Sequence, residues 1–129
     1  MQLHRIRGDA HGHIGGTHFQ HGGLHTKVLR AGMGAHFALR IHEQVDLLAL
    51  TIASSFPVYA AQADAKQSLY RVDLSGRCSW IFGNEGAGIA PELAQHARAL
   101  SIPMPGGAES LNVAAAVAVC LFEQVRQRQ

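Results

Sequence analysis

The chain has only two cysteines, Cys78 and Cys120, and they stand at no metal-ligand spacing. They read as small buried hydrophobes in a reducing compartment, which places the protein in the cytoplasm. No apolar run approaches the roughly 18–20 residues of a membrane span. The opening stretch "MQLHRIRGDAHGH" also lacks the apolar segment of a signal peptide. The net charge of +2 is too small by itself to announce a nucleic-acid partner. No Gly-Lys-Ser/Thr triplet occurs, so a phosphate-cradling P-loop is excluded. What the chain does have is a hydrophobic fraction of 47% over 129 residues, enough for one domain with a modest core.

Composition divides the chain near Thr26. Residues 1–26 include "GDAHGHIGGTHFQHGGLH", rich in Gly and His and without an apolar period, and are expected to be poorly ordered and to form little core. His11, His13, His18, His21 and His25 invite a metal reading, but the run lacks cysteine and the tight spacing of zinc ligands, so no metal is expected. From residue 27 a regular pattern begins. "TKVLRAGMGAHF" carries helical spacing interrupted by Gly32 and Gly34, and "FALRI" reads as a short strand. In "HEQVDLLALTIASS", Val45, Leu48, Ala49 and Ile52 recur at i, i+3, i+4, i+7, a helix with one buried face. "FPVYAA" and "CSWIFG" read as strands, the second buried on both faces as in a parallel sheet. Pro91 and Glu92 suit the first turn of a helix over "PELAQHARA". "LSIPM" is a further strand, and Ser110 is the simplest cap for a last helix with Val113, Ala116, Val117, Cys120, Leu121 and Val125 facing the core. Alternating strands and helices give the α/β class.

Ligands of open α/β sheets sit at the carboxyl ends of the strands, which singles out the loops "GNEGAG" and "PGGAES". The first runs G-x-x-G-x-G, unlike the dinucleotide fingerprint, and Glu85 at its centre would repel phosphate. Its glycines let backbone approach a flat ligand, while Asn84 and Glu85 can accept hydrogen bonds from amino or hydroxyl groups. A heterocycle, a ribose or a cation suits it better than a triphosphate. Ile102, Met104 and Leu111 add apolar contacts from the second loop, beside Ser110 and Asn112. Asn112 falls inside the expected first helical turn, where Asn is a mediocre choice.

"IFGNEGAGIAPEL" followed by "IPMPGGAESLNVAAAVAVCLFEQVRQR" resembles motifs 2 and 3 of the SpoU-type branch of the SPOUT RNA methyltransferases. "KVLRAGMGAHFALRI" and "SLYRVDL" resemble the segments leading up to motif 2, so the likeness covers residues 27–128. The resemblance implies an α/β fold with a mostly parallel sheet and a C-terminal trefoil knot, S-adenosylmethionine as cofactor, and a homodimer. The implied reaction is methyl transfer to a ribose 2′-hydroxyl of tRNA or rRNA. By the same resemblance Gly83, Asn84, Gly86, Gly88, Ile102, Met104 and Leu111 hold the cofactor, and Glu85, Ser110 and Asn112 organise the reacting end. Lys27, Arg30 and His36 are the candidates for contact with RNA. No segment matches the family's motif 1, a strand followed by Asn-x-Gly and an arginine; Arg5, Arg7 and Arg30 match by residue type alone. The resemblance therefore implies a truncated or altered N-terminus on a methyltransferase core at 27–129. It also leaves open a catalytically inactive remnant that binds RNA or dimerises.

Overall fold

The protein is described by a computed structural model covering residues 2–7, 13–15, 30, 33–39, 41, 42, 45–84, 86–107 and 111–129. Among these residues five strands, β1 (Gln2–Arg7), β2 (His13–Gly15), β3 (Val58–Ala61), β4 (Ser79–Phe82) and β5 (Arg98–Leu100), form one sheet in the order β2-β1-β4-β3-β5. The three later strands run parallel, with β3 central: Tyr59 lies opposite Trp80 of β4 on one side and Arg98 of β5 on the other. β1 joins the sheet antiparallel to β4, Leu3 facing Ile81, and β2 folds back on β1. The first 26 residues thus contribute two strands where the composition suggested little structure. Backbone pairing along β4 depends on its free edge rather than on an apolar period in the strand that covers it. Parallel and antiparallel ladders are equal in number among the described strands, so the parallel character belongs to the second half of the chain.

β4 reads "SWIF" because both of its faces are covered. On one face Tyr59, Trp80, Phe82 and Leu100 pack with Leu69, Leu74, Cys78 and Cys120, beneath the helix α3 (Val113–Gln127). The Trp80 ring lies 5.3 Å from Tyr59 and 6.0 Å from Phe82, centroid to centroid. On the other face Val58 and Ile81 pack with Leu47 of α1 (Leu47–Ile52) and Leu93 of α2 (Pro91–Ala94). The alternation along β3 and β4 therefore sends each residue to a different helix layer.

Several helices depart from their expected form. α1 begins at the Asp46 cap, which accepts from the Ala49 amide at 3.0 Å, and it buries Leu47 and Thr51 while Ile52 is 60% exposed. The rotated face carries Thr51 inward, where its hydroxyl donates to the Leu47 carbonyl at 2.7 Å, so this polar residue enters the core already satisfied. α2 is a single turn, and the residues after it lead into β5 at Arg98. Among the described residues of "FALRI" no strand forms: Ala35–Ala38 is a 3-10 turn preceded by positive φ at Met33 and Gly34. In α3 Val125 is 49% exposed, and Glu123 and Gln124 are buried instead.

Those two polar residues belong to a hydrogen-bonded clamp at the carboxyl end of α3. Trp80 Nε1 donates to Gln124 Oε1 at 3.2 Å, and Gln124 Nε2 donates to Cys78 Sγ and the Gly76 carbonyl. Gln127 accepts from the Leu74 amide at 2.7 Å and donates to the Val72 carbonyl at 3.1 Å. Arg128 donates to the carbonyls of Ser75 and Gly76. Burial pushes the Cys78 thiol up to about 11 and that of Cys120 to about 12, so both stay protonated and behave as packing groups.

Candidate functional site

The parallel strands end at a common edge, and three stretches of described residues meet there: 62–64 after β3, 83, 84 and 86–89 after β4, and 101–107 with 111 and 112 after β5. The reversal after β4 is closed on itself. The Asn84 amide donates to the Gly88 carbonyl at 3.3 Å and the Gly88 amide returns to Asn84 at 3.1 Å. Asn84 Oδ1 also accepts from the amides of Gly86, at 3.1 Å, and Ala87, at 2.5 Å. This side chain, expected to accept from a ligand, is committed to its own loop. Gly83 is required by that closure, since a Cβ there would collide with the Gly88 carbonyl carbon and lie 2.7 Å from the Gly88 Cα. Gly88 turns the chain with φ +66.

The reversal after β5 leads into α3. Asn112 is the N-cap of that helix, its Oδ1 accepting from the amides of Ala114 at 2.9 Å and Ala115 at 3.4 Å. This corrects the placement of Asn112 inside the first turn and accounts for the residue type: at a cap, Asn is among the best choices. Ser110, expected as the cap, lies outside the described residues, as do Glu85 and Lys27.

Between these reversals lies a cavity of about 650 Å³. Its floor is apolar, formed by Phe82, Leu100, Ile102, Met104, Val113 and Ala116, with Leu111 at the rim, 39% exposed. Gly83, Asn84, Gly88, Ile102, Met104, Leu111 and Asn112 all line it, so residues nearly thirty positions apart meet around one space. Gly86 is part of the same turn but not of the wall. Arg30 is exposed and away from the cavity lining; His36 belongs to the 3-10 turn at Ala35–Ala38. His11, His18, His21 and His25 lie outside the described residues, and His13 is a residue of β2.

Gln62 and Asp64 were missed by the sequence reading, and both line the cavity. The signal was available: they follow β3 directly, at the same strand end that singled out the other two loops.

The profile of the SpoU rRNA Methylase family matches residues 11–122. The chain belongs to the SpoU rRNA methylase family. Over 72 residues it is 47% identical to a 23S rRNA (guanosine-2′-O-)-methyltransferase RlmB of Xanthomonas campestris pv. campestris, covering 55% of this chain and 29% of that protein. An AdoMet-bound rRNA methyltransferase from Sinorhizobium meliloti shares its fold with a TM-score of 0.71 and 33% identity, over 81% of this chain and 41% of that one. A structure concerned with the 2-OH methylation of C/U34 on tRNA gives a TM-score of 0.71 at 29% identity, over 85% and 72% of the two chains. The chain spans less than a third of the length of the curated relatives it matches. Its α/β fold is the one expected from the alternation of elements.

Proposed function

We propose that this chain carries the cofactor pocket of a methyltransferase that uses S-adenosylmethionine to methylate a ribose 2′-hydroxyl in tRNA or rRNA. The observation that carries the reading is that Gly83, Ile102 and Leu111, from two separate loops, wall one cavity with an apolar floor. Its volume of about 650 Å³ is in the range of small-molecule cofactor sites. The residues fit an adenosyl ligand: Phe82, Ile102 and Met104 offer an apolar surface to a flat base, and the glycines at 83 and 88 leave backbone rather than side chains at the wall. When bound, the cofactor supplies a methyl group already activated by its sulfonium, which leaves the protein to align the reactants and help remove a proton.

In this reading Asn112 fixes the start of α3 and so holds Leu111 and Val113 against the ligand. Glu85 and Ser110, one on each loop, organise the reacting end, and Lys27, Arg30 and His36 meet the RNA. The C-terminal segment is threaded as the family's trefoil knot. The partners are RNA and a second copy of the chain, in the cytoplasm. Phe122 and Val125, apolar and exposed at 74% and 49% on the outer side of α3, support pairing through that helix. Among the described residues no helix is long and apolar enough to cross a membrane.

Methyl transfer from radiolabelled S-adenosylmethionine to unmodified rRNA and tRNA tests the proposal, read together with cofactor binding. Incorporation that localises to a ribose 2′-oxygen supports it. Binding without incorporation is the outcome of the inactive, RNA-binding alternative, and no binding at all contradicts the pocket assignment.

A further inference from the structure

Among the described residues that line the cavity, Asp64 is the one ionisable side chain. It is exposed at the mouth, and no described residue donates a hydrogen bond to its carboxylate or pairs with it. The segment that carries it is held firmly: the Gln62 amide donates to the Leu100 carbonyl at 3.0 Å and the Ala65 amide to the Gln62 carbonyl at 3.3 Å. β3 is the central strand of the parallel trio, so Asp64 stands between the glycine loop after β4 and the apolar wall made by β5 and the start of α3.

From this placement we infer that Asp64 binds the ribose diol of the adenosyl ligand, with the two carboxylate oxygens accepting from the 2′- and 3′-hydroxyls. The inference rests on the cofactor reading above. An adenosyl ligand has a flat aromatic base at one end, whose faces suit an apolar surface, a charged tail at the other, and the sugar between them. A base on the apolar wall and a tail toward the glycine loop put the sugar in front of the central strand. A carboxylate suits a diol because it has acceptors for both donors, and charge-assisted hydrogen bonds are the stronger kind. The sulfonium is a poorer partner for it, having no N–H or O–H to donate, and an ion pair at an exposed mouth contributes little. Gln62, half-buried on the same turn, lines the cavity with it.

The test measures dissociation constants of the full chain and of Asp64→Ala and Asp64→Asn for four probes: S-adenosylmethionine, S-adenosylhomocysteine, adenosine and 2′,3′-dideoxyadenosine. Circular dichroism and thermal melting of each variant verify that the fold is kept. The expected result is that Asp64→Ala weakens the three ribose-containing probes by a common factor of about ten, with Asp64→Asn intermediate, and leaves the dideoxy probe unchanged. Equal weakening of all four probes, or no weakening of any, overturns the assignment. Weakening confined to S-adenosylmethionine also overturns it, in favour of charge sensing. Failure of the unaltered chain to bind any probe instead defeats the cofactor reading on which this inference rests.

Discussion

At its first turn α3 borders an open cavity and is fastened by the Asn112 cap, whereas at its last turns Gln124, Gln127 and Arg128 tie it to the segment 72–78. The buried end makes its polar contacts inside the protein, and Gln124 is fully buried there. The cavity end presents apolar side chains and backbone to a space of about 650 Å³. The helix is 15 residues long, so its two ends lie roughly 22 Å apart. The difference teaches how one helix divides two tasks: its far end anchors it to the core, while its first turn supplies part of the wall that meets the ligand.

Removing the far anchorage is expected to have the largest effect. Gln124→Ala leaves the Trp80 indole N–H unpartnered in the core and opens a void, and should lower unfolding free energy by about 3 kcal/mol in a urea titration. If the comparison holds, cofactor affinity measured well below the unfolding transition changes far less than stability does. Gly83→Ala tests the opposite end. Its Cβ forces the loop away from Gly88, which should cost about 2 kcal/mol and weaken cofactor binding by more than stability alone explains. Equal ligand affinity for Gly83→Ala and the unaltered chain would break the distinction between the two ends.

Asn112→Ala should be milder, lowering stability by about 1 kcal/mol through loss of the cap, with a measurable fall in cofactor affinity because Leu111 and Val113 flank it. The smallest effect concerns Glu123. Its hydrogen bonds from Arg126 and Gln127 hold the carboxyl down at about 2, against an ordinary value of 4.5. A depressed folded value adds stability that is complete above about pH 4.5 and is lost as the pH falls toward 2. Glu123→Gln should therefore differ from the unaltered chain in melting temperature near neutral pH and converge with it in acid. A difference that stays constant from neutral pH down to 2 would contradict the assignment.

The parallel core was legible because "VYAA" and "SWIF" are apolar runs too short for helices, and burial on both faces is what produces such runs. The cavity residues on the two glycine-bearing loops were legible for a different reason: a strand end, glycines and small polar groups coincide there. What stayed hidden depended on pairing across distance in the chain. Gln124 looks like a surface residue until Trp80 and Cys78 are placed beside it, and Thr51 looks polar until its hydroxyl meets the Leu47 carbonyl. β1 pairs through backbone along the free edge of β4, a kind of contact that leaves no period in "QLHRIR". Asp64 was passed over because its turn has no glycine to draw attention to it.

The most direct test of the shared pocket is calorimetric titration of S-adenosylmethionine into the unaltered chain and into Leu111→Asp, each verified as folded. Leu111 reaches the cavity from the reversal that follows β5, so a carboxylate in its place sets a charge against the adenosyl group without touching the glycine loop. The account predicts one binding event for the unaltered chain and a loss of at least about 30-fold in affinity for the variant. Equal affinity in the two proteins, or no heat in either, would contradict it.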